Sequence, residues 1–451
     1  MLRAGTSLAF ILLFSSIVVT GAVIHVPSDQ PTIQAGIDAA VDGDTVLVAD
    51  GTYTGSGNRD ISFRGKAITV RSESGAENCI IDCEEQGSGF HFTNGESLDS
   101  VLDGFTIRNG ESFDGGGIFC NGSSPTITNC TFSDNTADYF GGGFFCYLSS
   151  PTITNCTFSA NHVGDYYYGY GSLGGGICCF HSSPTITNCT FSANHAGGWE
   201  GGNGGGIYCE SSSSTITNCT FSANGAHGGG YYPYAIGGGI VCGDSTTITN
   251  CTFSDNTADD YGGGIFCYGS SSTITNCIVW NNSPDGIHDA LGVAIVSYSD
   301  VQGGWLGEGN IDADPLFVAG PEGDYYLSQV AAGQVEDSPC IDAGSEAAEC
   351  LCFNIPEGFT CLDHLTTRTD HVNDTGLVDM GFHYGEIVPL DSVSAELTCV
   401  PLSGIIPFQT HMSVDLNNPW AGSTRIIAGR IDVDLARGPH VTNWRSGWAE
   451  V

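Results

Sequence analysis

Between Gly115 and Asn282 apolar and polar positions follow one another in the same order again and again. The first copy runs Gly115-Gly116-Gly117-Ile118-Phe119-Cys120, then Ser123-Ser124-Pro125, then Thr126-Ile127-Thr128-Asn129-Cys130-Thr131-Phe132-Ser133-Asp134-Asn135. Ile118 and Cys120 fall on one face of a strand and Phe119 on the other, as period-two alternation requires. Ile127 belongs to a second short strand, and Cys130 and Phe132 to a third, with turn formers between them. The Gly triplets at Gly115, Gly141, Gly174, Gly204, Gly237 and Gly262 recur every 25 to 33 residues or so, a period that signals a solenoid. The predicted fold is therefore all-β: a right-handed, single-stranded parallel β-helix with three short strands per coil.

One position per coil bends the chain. Asn129, Asn155, Asn188, Asn218, Asn250 and Asn276 sit between the second and third strands. Asn tolerates the left-handed backbone of a sharp corner, and stacked side-chain amides can bond from coil to coil. This column is predicted to be an internal or corner structural ladder. Each Asn-Cys-Thr triplet also matches a glycosylation sequon, but its exact recurrence is better explained by bend geometry.

Outside the repeats, Ile33, Ile37 and Val41 have helical spacing after Pro31, which predicts a short helix capping the open first coil. Strand-like runs at Thr45 to Ala49, Ile61 to Arg71 and Val101 to Arg108 lead into the regular region. After Asn282 the pattern loosens into an exit region, and from about residue 386 it changes to alternating segments such as Met412 to Leu416. The predicted organisation is a signal peptide over 1–22, the β-helix over 23–385 with regular repeats at 115–282 and an exit region at 283–385, and a small β domain at 386–451. That last domain reads as sandwich-like, and as an incomplete domain, since the chain stops soon after these strands.

The start of the chain has a charge at Arg3, an apolar stretch from Leu8 to Val19 and small residues ending at Ala22, the grammar of a secretory signal. The mature chain is expected to begin near Val23, to be secreted or displayed on a cell surface, and to hold no transmembrane segment. Its 11 Lys plus Arg against 50 Asp plus Glu give a net charge of −39 and disfavour a nucleic-acid partner. A neutral ligand or a divalent cation suits that field.

Twenty cysteines in an exported chain suggest disulfides. Twelve of them, however, form two columns, Cys120, Cys146, Cys179, Cys209, Cys242, Cys267 and Cys130, Cys156, Cys189, Cys219, Cys251, Cys277. A residue recurring in every coil stacks on itself, and a free thiol behaves as a small buried hydrophobe. Cys79, Cys83, Cys340, Cys350, Cys352, Cys361 and Cys399 are the better disulfide candidates; Cys178 lies off the columns beside Cys179.

The pairing of Phe-x-x-Asn (Phe132 to Asn135, and Phe158 to Asn161 in the next copy) with a Gly-Gly-x-Ile element resembles the repeats of polymorphic outer-membrane proteins, surface adhesins with a pectate-lyase-like β-helix. The opening segment Ile24 to Tyr53 is similar to the N-terminal cap of pectin-lyase-fold proteins. Asp312 to Phe317, Ser338 to Gly344 and Asp379 to Gly381 resemble the exit region of secreted members. The resemblance implies a β-helix and places any cleft on the outside of the Gly-Gly-Gly-Ile strands. A polysaccharide lyase of this type takes its proton with Arg or Lys, and neither occurs between Arg108 and Arg368.

The outward positions of those strands are aromatic: Phe119, Phe145, Tyr208 and Phe266, with Tyr147 and Phe180 two residues on in their coils. A glycoside hydrolase needs two carboxylates, and the weak candidates are Glu210 on this face and Glu200 in a gap. Three successive gaps carry aromatic clusters, Tyr166, Tyr167, Tyr168 and Tyr170, then Trp199, then Tyr231, Tyr232 and Tyr234. Stacked coils must bring these loops side by side, which suits sugar-ring stacking. With Tyr147 and Tyr208 they form the candidate ligand-binding set. His162, His195 and His227 recur in the same gaps and are candidate metal ligands. Asp370, Asp374 and Asp379 are weak candidates for calcium, although their spacing is not an EF-hand's; otherwise no cofactor is expected. The preferred reading is a non-catalytic surface β-helix that binds a glycan or another surface. A polysaccharide-degrading enzyme, hydrolase before lyase, and a purely structural spacer are the alternatives.

Overall fold

A computed structural model describes residues 21–164, 171–199, 201–229, 234–268, 271–355 and 358–385, and the backbone of two antiparallel strands, Ala395–Cys399 and Met412–Leu416. Residues 1–20, most of the predicted signal peptide over 1–22, and the rest of the region after 385 lie outside the described residues.

The chain winds as a right-handed parallel β-helix. Strands such as Ile118–Asn121 make a 9-stranded first sheet, Thr126–Thr128 and its equivalents an 11-stranded second sheet, and Thr131–Ser133 and its equivalents a 10-stranded third sheet. Pairing is in register from copy to copy: Ile127 opposes Ile153, and Phe132 opposes Phe158. The longer predicted runs divide at coil corners. Ile61 to Arg71 becomes Ile61–Ser62 and Thr69–Ser72, with Arg64 and Gly65 left-handed between them. Val101 to Arg108 splits at Gly104, the counterpart of the Asn corner.

Inside the coil, identical side chains stack because identical sequences are in register. Phe132, Phe158, Phe191, Phe221 and Phe253 lie ring on ring at 4.6, 5.0, 4.7 and 4.5 Å. Both cysteine columns are wholly buried as free thiols, with the Cys146 and Cys179 sulfurs 3.0 Å apart. Among the cysteines off the columns, Cys352 and Cys361 form a disulfide. Cys79, Cys83 and Cys340 are instead buried thiols, the first two in the main core. Cys79 and Cys83 fill interior positions of irregular early coils, where sequence shows no column, and Cys340 packs with Ile278, Leu327 and Met380 in the exit region. Cys350 is a half-buried free thiol, and the Cys399 side chain is outside the described residues.

The helix α1 (Ile33–Ala39) closes the first coil, capped by Thr32, whose hydroxyl accepts from the Ala35 N–H at 3.2 Å. Ile33 and Ile37 are buried as expected, but Val41 is past the helix end and 65% exposed; Ala40 takes the third inward place. Gly36 allows the close approach, since a Cβ there would lie 2.8 Å from a Val46 methyl and 2.9 Å from one of Val26.

The predicted ladder lies at the corner of each coil, exposed at Asn129 and buried beneath the exit region at Asn218, Asn250 and Asn276. Asn129, Asn155, Asn188, Asn218, Asn250 and Asn276 all have φ between 51 and 56°. Their amides bond in sequence, for example Asn188 to Asn155 at 2.9 Å and Asn218 to Asn188 at 2.8 Å. A second ladder lies inside: Asn135, Asn161, Asn194, Asn224 and Asn256 are fully buried. Each Nδ2 donates to the next coil's Asn Oδ1 at 2.9 or 3.0 Å and to a carbonyl of the preceding coil, so the buried amides are satisfied.

Two features lie beyond the predicted three strands. A fourth, 8-stranded parallel sheet is built from the gap segments, beginning at Glu111–Asp114 and Thr136–Phe140 and continuing through His195–Gly198 and Gly225–Gly228. The exit region also folds back on the corner ladder, where Asn218 holds the backbone of His383 across 165 residues.

Candidate functional site

The outward row of the first sheet is aromatic as predicted, but it is not an open cleft. Phe145, Cys178, Val241 and Phe266 are at most 6% exposed, because Phe140, Leu173 and Ile236 of the fourth sheet pack over them. Gap residues that read as loop therefore form a second, thin apolar layer. Tyr208 is partly buried in it, packs on Phe180 at 5.8 Å and directs its hydroxyl to Glu210 at 2.9 Å. Tyr147, 37% exposed, lies edge-on to His181.

What remains open is the rim of the gap segments. Trp199, Tyr234 and Tyr261 come from three successive coils and are 48%, 57% and 42% exposed. Tyr234 and Tyr261 have ring centroids 6.4 Å apart, and Tyr261 continues onto His288 at 4.4 Å. The loops of Trp199 and Tyr234 touch through Gly201, whose φ is +91° and where a Cβ would stand 2.1 Å from the Tyr234 carbonyl oxygen. Tyr261 and His288 were not among the predicted binding residues; register with Ile236 and Asn203 places Tyr261 on the rim, and no local pattern announces it. Of the predicted set, Tyr166, Tyr167, Tyr168, Tyr170, Tyr231, Tyr232 and Glu200 lie outside the described residues.

Beside the rim the three gap histidines stack rather than converge. His162 and His195 have centroids 5.0 Å apart and Nδ1 atoms 3.1 Å apart, and His195 and His227 follow at 4.9 Å. His227 ends the stack on Asp259 at 3.0 Å, whose other oxygen accepts the Gly228 N–H. Asp260 accepts the Ala235 N–H at 2.7 Å. Among the described residues no group of three or more His, Cys, Asp or Glu is placed to hold a metal ion. Asp370 pairs with Arg368 through both oxygens, Asp374 bonds His383 at 2.9 Å, and Asp379 accepts from Gln329 and the Asp342 N–H, so these three carboxylates face different partners.

One carboxyl stands apart. Burial, followed by the charge of Asp138 on the neighbouring strand, pushes the Asp114 carboxyl up to about 6. Its Oδ1 is out of water and without a hydrogen-bond partner. It was not singled out from sequence because a lone Asp before a Gly triplet reads as a turn residue.

Residues 32–174 and 170–300 match the model of the right handed beta helix region, and the chain belongs to that family. Similar solved structures include the pectate lyase Pel9A, at 12% identity over 80% of this chain and 96% of that one with a TM-score of 0.39. A rhamnogalacturonan lyase matches at 14% identity over 65% and 85% of the two chains, with a TM-score of 0.31. These likenesses concern the fold alone. No curated protein matches the chain. No helix among the described residues is long and apolar enough to cross a membrane.

Proposed function

We propose that this is an extracellular or cell-surface β-helix protein that binds a glycan, without cleaving it, along the aromatic rim. The observation that carries the reading is the column Trp199, Tyr234 and Tyr261, three exposed rings on consecutive coils. Coils repeat at about 4.8 Å, so rings on neighbouring coils offer a run of stacking faces to successive sugars. Aromatic side chains with polar tips suit that task, because the ring covers the apolar face of a sugar while the tip stays in water. The net charge of −39 favours a neutral glycan over an acidic one. Affinity electrophoresis through gels containing neutral or acidic polysaccharides tests this. Retardation by a neutral polysaccharide that Trp199→Ala abolishes supports the reading, and equal retardation of both forms refutes it.

A second reading, a polysaccharide hydrolase, has one observation in its favour: Asp114 holds its proton to about pH 6 beside Asp138, as a general acid next to a second carboxyl would. New reducing ends released from a retained polysaccharide, and lost in Asp114→Asn, would establish it.

A further inference from the structure

We propose that the rim of Trp199, Tyr234 and Tyr261 is the far part of a longer track that begins at Phe113 and Tyr139, and that its ligand is a linear neutral polysaccharide lying along the solenoid axis. The inference rests on the glycan reading of the rim and adds two binding residues and a ligand shape to it.

Register places the two groups of rings in line. In the fourth sheet Glu111, Thr136, His162, His195, Gly225 and Thr257 stand opposite one another on one side of the coil gaps. Asp114, Phe140, Leu173, Asn203, Ile236 and Tyr261 do so on the other side. Phe113 lies between these two columns in its coil and Tyr139 in the next, as Trp199 and Tyr234 do further on, and Tyr261 closes the gap after theirs. Each of these coils therefore brings an aromatic ring to the same strip of surface. Residues 165–170, in the gap between Tyr139 and Trp199, are outside the described residues, and the strip is drawn from the coils on either side.

The rings are set for an outside ligand rather than for one another. A bulge between Ser112 and Asp114 takes Phe113 out of the ladder and leaves it 67% exposed. Its ring is 14° from parallel with that of Tyr139, with centroids 6.5 Å apart, and Tyr234 and Tyr261 repeat that separation at 6.4 Å. The phenylalanines buried inside the same coils close to between 4.5 and 5.0 Å, the spacing of rings stacked face on face. The outer rings are slipped past each other, so ring surface stays bare, and such a surface is what a pyranose covers.

Length and charge define the ligand. From the gap before Gly115 to the gap before Gly262 the strip advances through the Gly triplets at 141, 174, 204 and 237, about 24 Å at about 4.8 Å per coil. With one sugar per coil, a chain of about six units fills it. A branch tip would meet one or two rings, whereas an extended chain meets them all. Glu111, Asp138 and Asp259 stand in or beside the same gaps, and carboxylates accept sugar hydroxyl protons. No Lys or Arg occurs between Arg108 and Arg368, and Arg108 is paired with Asp82 at 3.0 Å, so a chain of acidic sugars would bring its charges to like charges.

The test uses the full chain. Affinity electrophoresis against mixed-linkage β-glucan, glucomannan, arabinoxylan, laminarin and dextran selects a retarding polysaccharide, and calorimetric titration then compares its purified hydrolysis fragments of three and six units. The six-unit fragment is expected to bind at least tenfold tighter than the three-unit one. Phe113→Ala should weaken six-unit binding at least fivefold and leave three-unit binding unchanged, because Trp199, Tyr234 and Tyr261 hold a short chain without it. Equal affinity for the two lengths overturns the track, as does six-unit binding indifferent to Phe113→Ala; in either case, three-unit binding abolished by Trp199→Ala leaves the rim reading standing. Retardation by none of the five polysaccharides overturns both. Should Phe113→Ala fail to fold, the comparison of the two lengths on the intact chain decides alone.

Discussion

Replacing Asn194 by Ala removes four hydrogen bonds from the centre of the solenoid. Its Oδ1 accepts the Asn161 N–H at 3.1 Å and the Asn161 Nδ2 at 2.9 Å. Its Nδ2 donates to the Phe158 carbonyl at 2.8 Å and to the Asn224 Oδ1 at 3.0 Å. Asn161 Nδ2 retains the Phe132 carbonyl, and Asn224 Oδ1 retains the Asn194 N–H, but the Asn161 N–H loses the partner it has. An orphaned buried donor costs about 1–3 kcal/mol, and the lost bonds and small cavity add to it, for a total of about 3–5 kcal/mol. Asn155→Gly at the corner is the matched control. It also deletes relay bonds, of 3.2 and 2.9 Å, yet water can replace them and Gly keeps φ near 53°, so the cost should stay below about 1 kcal/mol. A solenoid can open repeat by repeat, so the guanidinium midpoint should be read together with amide exchange over residues 160–195. Equal midpoints and equal exchange in the two variants would refute the assignment of an inner and an outer ladder.

Further outcomes follow from the same geometry. Burial pushes Asp300 and Asp379 up to about 6, as burial and Asp138 do for Asp114. A folded value above the unfolded one, near 4, means folding takes up protons between pH 4 and 6; stability should therefore fall as pH rises through that window. Against the opposing effect of burial, hydrogen bonds from Asn109, the Glu84 N–H and Arg108 hold Asp82 low, so acid below pH 4 should destabilise too; a midpoint that climbs steadily from pH 4 to 8 would contradict this. Burial raises the Cys79, Cys83 and Cys178 thiols, so Ellman's reagent should label these and the column cysteines only after unfolding; fast labelling of more than the half-buried Cys350 and Cys399 would count against the packed columns. Gly36→Ala should lower the thermal midpoint by several degrees through the Val46 and Val26 contacts, and an unchanged midpoint would show that the cap is not seated as described.

The repeat was legible because each coil buries the same side chains in the same order, so Ile118, Ile127 and Phe132 declare three strands in a single copy. The corner Asn was legible too, since its left-handed bend is a local property. Asn135 was not placed inside: a polar residue in every coil suggests the surface, and the side-chain partners that satisfy it lie 25 residues or more away. The fourth sheet escaped for a similar reason. Phe140, Leu173 and Ile236 sit in gaps of unequal length with no alternation, and their packing over Phe145, Cys178 and Val241 exists only once the coils are stacked. The rim was legible in part. Trp199 and Tyr234 stood out as aromatic insertions, whereas Tyr261 and His288 join them only through register between coils.

The most direct test of the rim's role is a glycan array probed with the intact chain and with the Trp199→Ala, Tyr261→Ala double variant, both first checked for the same far-ultraviolet spectrum. Binding to neutral oligosaccharides by the intact chain, reduced at least tenfold in the variant, is the predicted result. An equal signal from both proteins, or binding confined to acidic glycans, would contradict it.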